Sequence, residues 1–125
     1  MAQRKPRPYG NGRYTEAGFW NFVRSGLRQK YNKWGPKYDV LKEARQASRA
    51  KRYKWKYRCA ICQELHPNKN VQVDHIVPCG SLRSFSDLPG FVKRLFCEKE
   101  GLRVLCKQCH NKVTQEQRKN AASNN

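Results

Sequence analysis

Acidic side chains are scarce in this 125-residue chain, with 9 Asp+Glu against 27 Lys+Arg and a formal net charge of +18. So large an excess on so short a chain repels itself unless a polyanion meets it. Nucleic acid is the expected partner, with an anionic membrane surface as the runner-up. Apolar residues are few as well. Mean hydropathy is -1.00 and only 38% of residues are hydrophobic, which leaves a thin core of the kind a bound metal helps to stabilise. No run approaches the ~20 apolar residues of a membrane-spanning helix. The first residues, Met-Ala-Gln-Arg-Lys-Pro, carry no apolar stretch such as a secretory signal needs. A cytoplasmic, reducing setting is therefore expected, in which six cysteines read as metal ligands and buried thiols before they read as disulfides.

Charge is unevenly placed along the chain. Residues 1–58 hold 17 Lys+Arg and 3 Asp+Glu, residues 59–125 hold 10 and 6. The upstream part is expected to supply electrostatic grip, the downstream part to keep acidic groups for other work. Pro6, Pro8, Gly10 and Gly12 among basic residues cannot nucleate a helix, so residues 1–14 read as a flexible basic tail. Thr15 is a candidate N-cap, and Phe19, Phe22, Val23 and Leu27 recur at helical spacing, which predicts a helix from about Glu16 to Tyr31. Phe19, Trp20 and Phe22 are assigned to packing, with base stacking as the alternative. Pro36 can start a second helix running through Leu41, Ala44 and Ala47, with Arg45, Arg49, Lys51 and Arg52 around it as candidate DNA contacts. Residues 15–54 thus read as a basic helical arm.

Tyr53, Trp55 and Tyr57 alternate with Lys54, Lys56 and Arg58 and predict a strand. It enters the pair Cys59-x-x-Cys62. A second pair, Cys106-x-x-Cys109, follows after 43 intervening residues. Two such knuckles supply the four thiolates of a tetrahedral structural Zn2+, a set that leaves no open coordination position for chemistry. Between them, Val71 and Val73 form a period-two strand that ends at Asp74-His75 and is expected to make a hairpin with the first knuckle. In the segment from Ser81 to Phe96, Ser86 is expected to cap a turn that Pro89-Gly90 breaks. Phe91, Val92, Leu95 and Phe96 then suggest a short amphipathic helix. Gly101 to Leu105 reads as a second strand, and Gln108 to about Lys119 as a closing helix that begins beside His110. His66 lies in a polar turn and is assigned to the surface; Cys79 and Cys97 are assigned as buried thiols.

The order Cys-x-x-Cys, then Val73-Asp74-His75-Ile76-Val77-Pro78, then Leu105-Cys106-Lys107-Gln108-Cys109-His110-Asn111-Lys112 resembles the HNH endonuclease family in its four-cysteine form. The resemblance covers about residues 55 to 115. Upstream, Phe19-Trp20-Asn21-Phe22-Val23-Arg24-Ser25 and Trp34-Gly35-Pro36-Lys37-Tyr38 look like the leader of small stand-alone HNH proteins of phages. The chain is also similar to phage recombination endonucleases that act on branched DNA. The resemblance implies an α+β fold and a ββα-metal core at residues 55–119 stapled by the four-cysteine zinc site; the residues after the closing helix, 120–125, read as a disordered tail. It implies metal-dependent hydrolysis of phosphodiester bonds in duplex or branched DNA. His75 would be the general base, since an imidazole titrates near neutrality. Asp74 and His110 would hold a catalytic Mg2+ or Mn2+, and Lys112 would meet a phosphate. The family's middle Asn is Gly101 here, before Leu102, and the lysine common three residues after the last His is replaced by Val113. The competing readings are a non-catalytic zinc-knuckle DNA-binding protein and an enzyme acting on RNA.

Overall fold

The computed structural model describes residues 4–49 and 52–123, so Lys51 lies outside the described residues. In chain order the elements are α1 (Glu16–Tyr31), α2 (Gly35–Ala44), β1 (Arg45–Ala47), β2 (Trp55–Arg58), β3 (Leu65–His66), β4 (Val71–His75), α3 (Leu88–Leu95), β5 (Leu102–Cys106) and α4 (Lys107–Ser123). This is a mixed α+β fold with small sheets. Among the described residues no helix is long and apolar enough to cross a membrane. The chain divides into two compact units, Met1–Trp34 with Val77–Cys97, and Gly35–Ile76 with Glu98–Asn125. The expected boundary between an arm and a motif domain at residues 54 and 55 is not where the chain divides. Each unit carries a net charge of +9, so the fold shares evenly between its units a charge that is lopsided along the sequence.

In the first unit, α1 begins where the Thr15 hydroxyl accepts the amide of Gly18 at 3.1 Å, leaving one fewer orphan donor in the opening turn. Glu16 sits in that turn and Arg28 and Lys30 in the last, each complementing the helix dipole. The helix buries Trp20 and Tyr31 against Cys79, Leu82, Phe91 and Leu95. The Trp20 indole donates to the Glu16 carboxylate at 2.9 Å, and Trp34 donates to the Cys97 carbonyl at 2.7 Å, so both indoles bury apolar area without an unmet donor. Arg24 and Arg94 bind the Leu82 and Cys79 carbonyls. Cys79 is a buried thiol, as assigned, and Cys97 is half-buried. Pro89 and Gly90 lie in the first turn of α3, which begins at Leu88, instead of separating it from the turn before. A proline in the first turn gives up an amide that has no intrahelical partner there. Phe91 and Leu95, one turn apart, then face the core.

The tail reading of residues 1–14 is corrected over 9–14, while residues 1–3 lie outside the described residues. Tyr9 and Tyr14 form an antiparallel bridge, with the Tyr14 amide donating to the Tyr9 carbonyl at 3.0 Å. The chain between them turns through positive φ at Gly10, Asn11 and Gly12. A side chain at Gly10 would meet the Tyr14 ring at 2.5 Å, so this position needs glycine for space as well as for its φ. The turn is held by Tyr9, whose ring meets that of Phe19 edge-on at 4.0 Å.

The second unit holds two small antiparallel sheets, ordered β1-β2-β3 and β4-β5. Arg45–Ala47 is a strand paired with Trp55–Arg58, not the last turn of α2. The aromatic strand leaves unpaired edge groups that need a partner, and the Arg45 guanidinium stacks 4.1 Å from the Trp55 ring centroid. That cation–aromatic contact replaces the expected helical turn. The connection closes with the Ser48 amide donating to the Lys54 carbonyl at 3.0 Å and presents Arg49 and Arg52 to solvent. The first knuckle is flanked by β2 and β3, which pair with each other. The Val71 strand pairs instead with β5, in a register that sets Asp74 opposite Arg103 and His75 opposite Leu102. Buried Leu102, Val104 and Leu105 explain the choice, because β5 offers an apolar surface that the polar knuckle cannot. The closing helix runs to Ser123, past the expected end at Lys119.

Candidate metal centre and its neighbours

Each knuckle is shaped by its backbone. After β2, the Cys59 carbonyl accepts the Gln63 amide and the Cys59 amide donates to Glu64, both at 3.0 Å. Gln63 adopts φ +64 to close this turn. The Ala60 amide donates to the Val104 carbonyl at 2.8 Å, tying the first knuckle to the strand that delivers the second. There Cys106 ends β5 and Cys109 lies in the first turn of α4, its amide 3.5 Å from the Cys106 sulfur. The result is one cluster. The sulfurs of Cys59, Cys62, Cys106 and Cys109 all lie within 4.8 Å of one another, and none of these cysteines is in a disulfide.

Four sulfurs so placed can hold a structural metal such as zinc. Zn–S bonds of about 2.3 Å define a tetrahedron with edges of about 3.8 Å, and the Cys62 and Cys106 sulfurs are 4.0 Å apart. Cys59, Cys106 and Cys109 are buried while Cys62 is exposed, and Leu105 and Val113 pack around the buried three. Burial pushes the Cys59 thiol up, but amide hydrogen bonds from Cys106, Cys62 and Ile61 bring it down to about 6. Cys109 is pushed up to about 12, first by its hydrogen bond with Cys106 and then by burial. Without a metal Cys59 leans toward thiolate and Cys109 strongly toward thiol. A divalent ion removes that conflict by coordinating all four as thiolates.

His66 is not the surface residue expected. It is half-buried in β3 with Nε2 3.6 Å from the Cys62 sulfur, and Cys62, Glu64 and His66 form a second group of close ligand atoms. The spacing of His66 four residues after Cys62 was the available sign, and its neighbours Pro67 and Asn68 hid it.

Asp74 and His110 come together from different elements. Their closest atoms, Asp74 Oδ1 and His110 Nε2, are 3.7 Å apart. The His110 carbonyl accepts the Thr114 hydroxyl at 2.9 Å near the start of α4. Asp74 is nearly buried, and its other oxygen accepts Arg103 Nε at 3.1 Å. Arg103 carries no sequence signal of its own; its cross-strand register opposite Asp74 is what brings it in. His75 closes β4 and is half-buried. Among the described residues, the two groups of three or more close ligand atoms contain none of Asp74, His75 and His110, so these three do not converge as one ligand set. At the position of the missing Asn, the Gly101 carbonyl accepts the Ile76 amide at 2.9 Å, so main chain braces the turn after His75. Lys112 is exposed on α4, and Arg52 lies 5.6 Å from the Tyr53 ring centroid. Compared with known proteins, this chain matches no family model, no curated protein and no solved structure.

Proposed function

We propose that this protein is a divalent-metal-dependent DNA endonuclease of the HNH type. The observation that supports it most is the approach of Asp74 to His110, 3.7 Å apart, on a strand-strand-helix stretch whose second strand and helix carry Cys106 and Cys109. A staple at that junction fixes the angle between β5 and α4 and so holds a carboxylate from β4 against an imidazole from α4. Two protein donors would leave the remaining positions to water and phosphate oxygens, which suits Mg2+ or Mn2+. Such an ion supplies Lewis acidity at the scissile phosphate. Arg103 lowers the local affinity for a cation by sharing Asp74, and offers its guanidinium to a phosphate oxygen.

His75 acts as general base. A water molecule gives its proton to the imidazole as its oxygen bonds to phosphorus; the bond from phosphorus to the leaving sugar oxygen breaks, and that oxygen takes a proton from solvent. The four-cysteine centre takes no part in this, being filled by sulfur. A cytoplasmic site of action fits the free thiols. A second reading is favoured by one contact: Arg103 already neutralises Asp74 at 3.1 Å, as it would in a zinc-knuckle protein that binds DNA and does not cut it. Divalent-ion-dependent cleavage separates the two.

The grip is assigned in part to the connection between β1 and β2. Arg49→Glu with Arg52→Glu is expected to weaken duplex binding and to reduce the slope of log K against log salt by about 2, at roughly 0.9 per lost phosphate contact. Arg45 is left in place because its stacking on Trp55 holds the hairpin. Titrations at several salt concentrations check this, and an unchanged slope would move the DNA path elsewhere.

A further inference from the structure

We propose that the aromatic cleft of the first unit is a binding site for an unpaired base of single-stranded DNA. Tyr9, Gly10, Tyr14, Phe19, Phe22 and Val23 line a cleft of about 290 Å³, at the small end of ligand pockets. Its rings are more exposed than a core requires: Phe22 is 66% exposed and Tyr14 36%, while the packing of α1 is carried by Trp20 and Tyr31. The rings also support one another. Tyr14 and Phe22 lie 5.7 Å apart, and Phe19 stacks on Trp20 at 4.8 Å, so the wall is backed by the buried core. Such a surface presents fixed π-faces at low entropic cost.

The surroundings select the occupant by charge. Arg4, Lys5 and Arg7 lead into Tyr9 and are exposed, and Arg13 is fixed at the rim by its bond to the Gly10 carbonyl at 3.1 Å. Glu16 is the one acidic residue between positions 4 and 34. Its carboxylate accepts the Trp20 indole N–H at 2.9 Å. An apolar slot with a cationic rim fits a nucleotide, whose base stacks while its phosphate meets arginine. A paired base in a duplex keeps its faces covered, so the slot discriminates for unpaired strands. The choice of DNA over RNA rests on the nuclease reading above, and the ligand fits an enzyme that meets branched or frayed DNA.

The test uses the full chain and a labelled oligothymidylate of about 12 nucleotides, beside a blunt duplex and an oligouridylate, in buffer without Mg2+ or Mn2+. Phe22→Ala and Phe22→Leu are expected to weaken oligothymidylate binding by roughly 5- to 150-fold, the range for losing one stacked base. Phe22→Tyr restores it, and duplex binding is the same in all four proteins. The exposure of Phe22 makes these variants compatible with the fold, which thermal melts verify. Equal losses on duplex, no loss, or restoration by leucine would each overturn the proposal. So would tighter binding of oligouridylate, or a parent that self-associates through the cleft in sedimentation while Phe22→Ala is monomeric. Cleavage is scored separately, so an inactive protein that shows the Phe22 pattern refutes the nuclease reading alone.

Discussion

Replacing Cys59 or Cys109 with serine is expected to unfold the unit formed by Gly35–Ile76 and Glu98–Asn125. Cys59, Cys106, Cys109 and Leu105 are the buried residues of its cysteine-centred cluster, and among the described residues of the unit little else is deeply buried beyond Val40, Leu102 and Val104. Structural zinc contributes on the order of 10 kcal/mol of binding free energy to folding, comparable with the roughly 5–15 kcal/mol that separates a whole folded domain from its unfolded chain. Loss of one thiolate therefore removes a term as large as the net stability. Circular dichroism melts with metal quantification would show one zinc per parent chain and no cooperative transition for this unit in either variant. A serine variant that melts cooperatively without bound metal would refute the staple.

His75→Ala should lower the cleavage rate by about two to four orders of magnitude, the usual contribution of a positioned general base. It should leave zinc content and DNA affinity unchanged, because His75 belongs to neither group of close metal-ligating atoms. Single-turnover cleavage with protein in excess isolates the chemical step from binding. Turnover like that of the parent would remove His75 from the role of base.

The extent to which this architecture is legible in the sequence depends on whether its causes are local. Helix α1 is readable to its ends because Thr15 caps it and Phe19, Phe22, Val23 and Leu27 recur at helical spacing, but the face it packs is Trp20, Val23, Leu27 and Tyr31, and Phe22 is exposed instead of packed. The cysteine cluster is readable because each Cys-x-x-Cys pair closes its own turn, so that what remains is to bring the two turns together, with Ala60 bonded to Val104 and Cys62 near Cys106. Arg45–Ala47 is not readable: Lys42, Glu43 and Ala44 favour helix, and what ends it is pairing to Trp55 across the hairpin. The Tyr9–Tyr14 turn is hidden for a similar reason. Glycine and proline among basic residues look the same in a mobile tail and in a turn anchored by a ring on Phe19. Arg103 belongs to a site that register alone reveals, opposite Asp74, whereas His66 lies beside Cys62 at a four-residue spacing that its turn-forming neighbours obscure. The segment from Ser81 to Phe96 reads as an interruption of the motif, yet Leu82, Phe91 and Leu95 complete the core that Trp20 begins.

Nicking and linearisation of supercoiled plasmid by the purified, zinc-loaded protein, with and without added Mg2+ or Mn2+, tests the central reading most directly. The zinc content is to be measured at the start and the end. The proposed chemistry predicts no cleavage with zinc alone, cleavage when the second ion is added, and no such gain for His75→Ala. DNA that is bound but left intact under every metal condition, with the zinc in place, would contradict it.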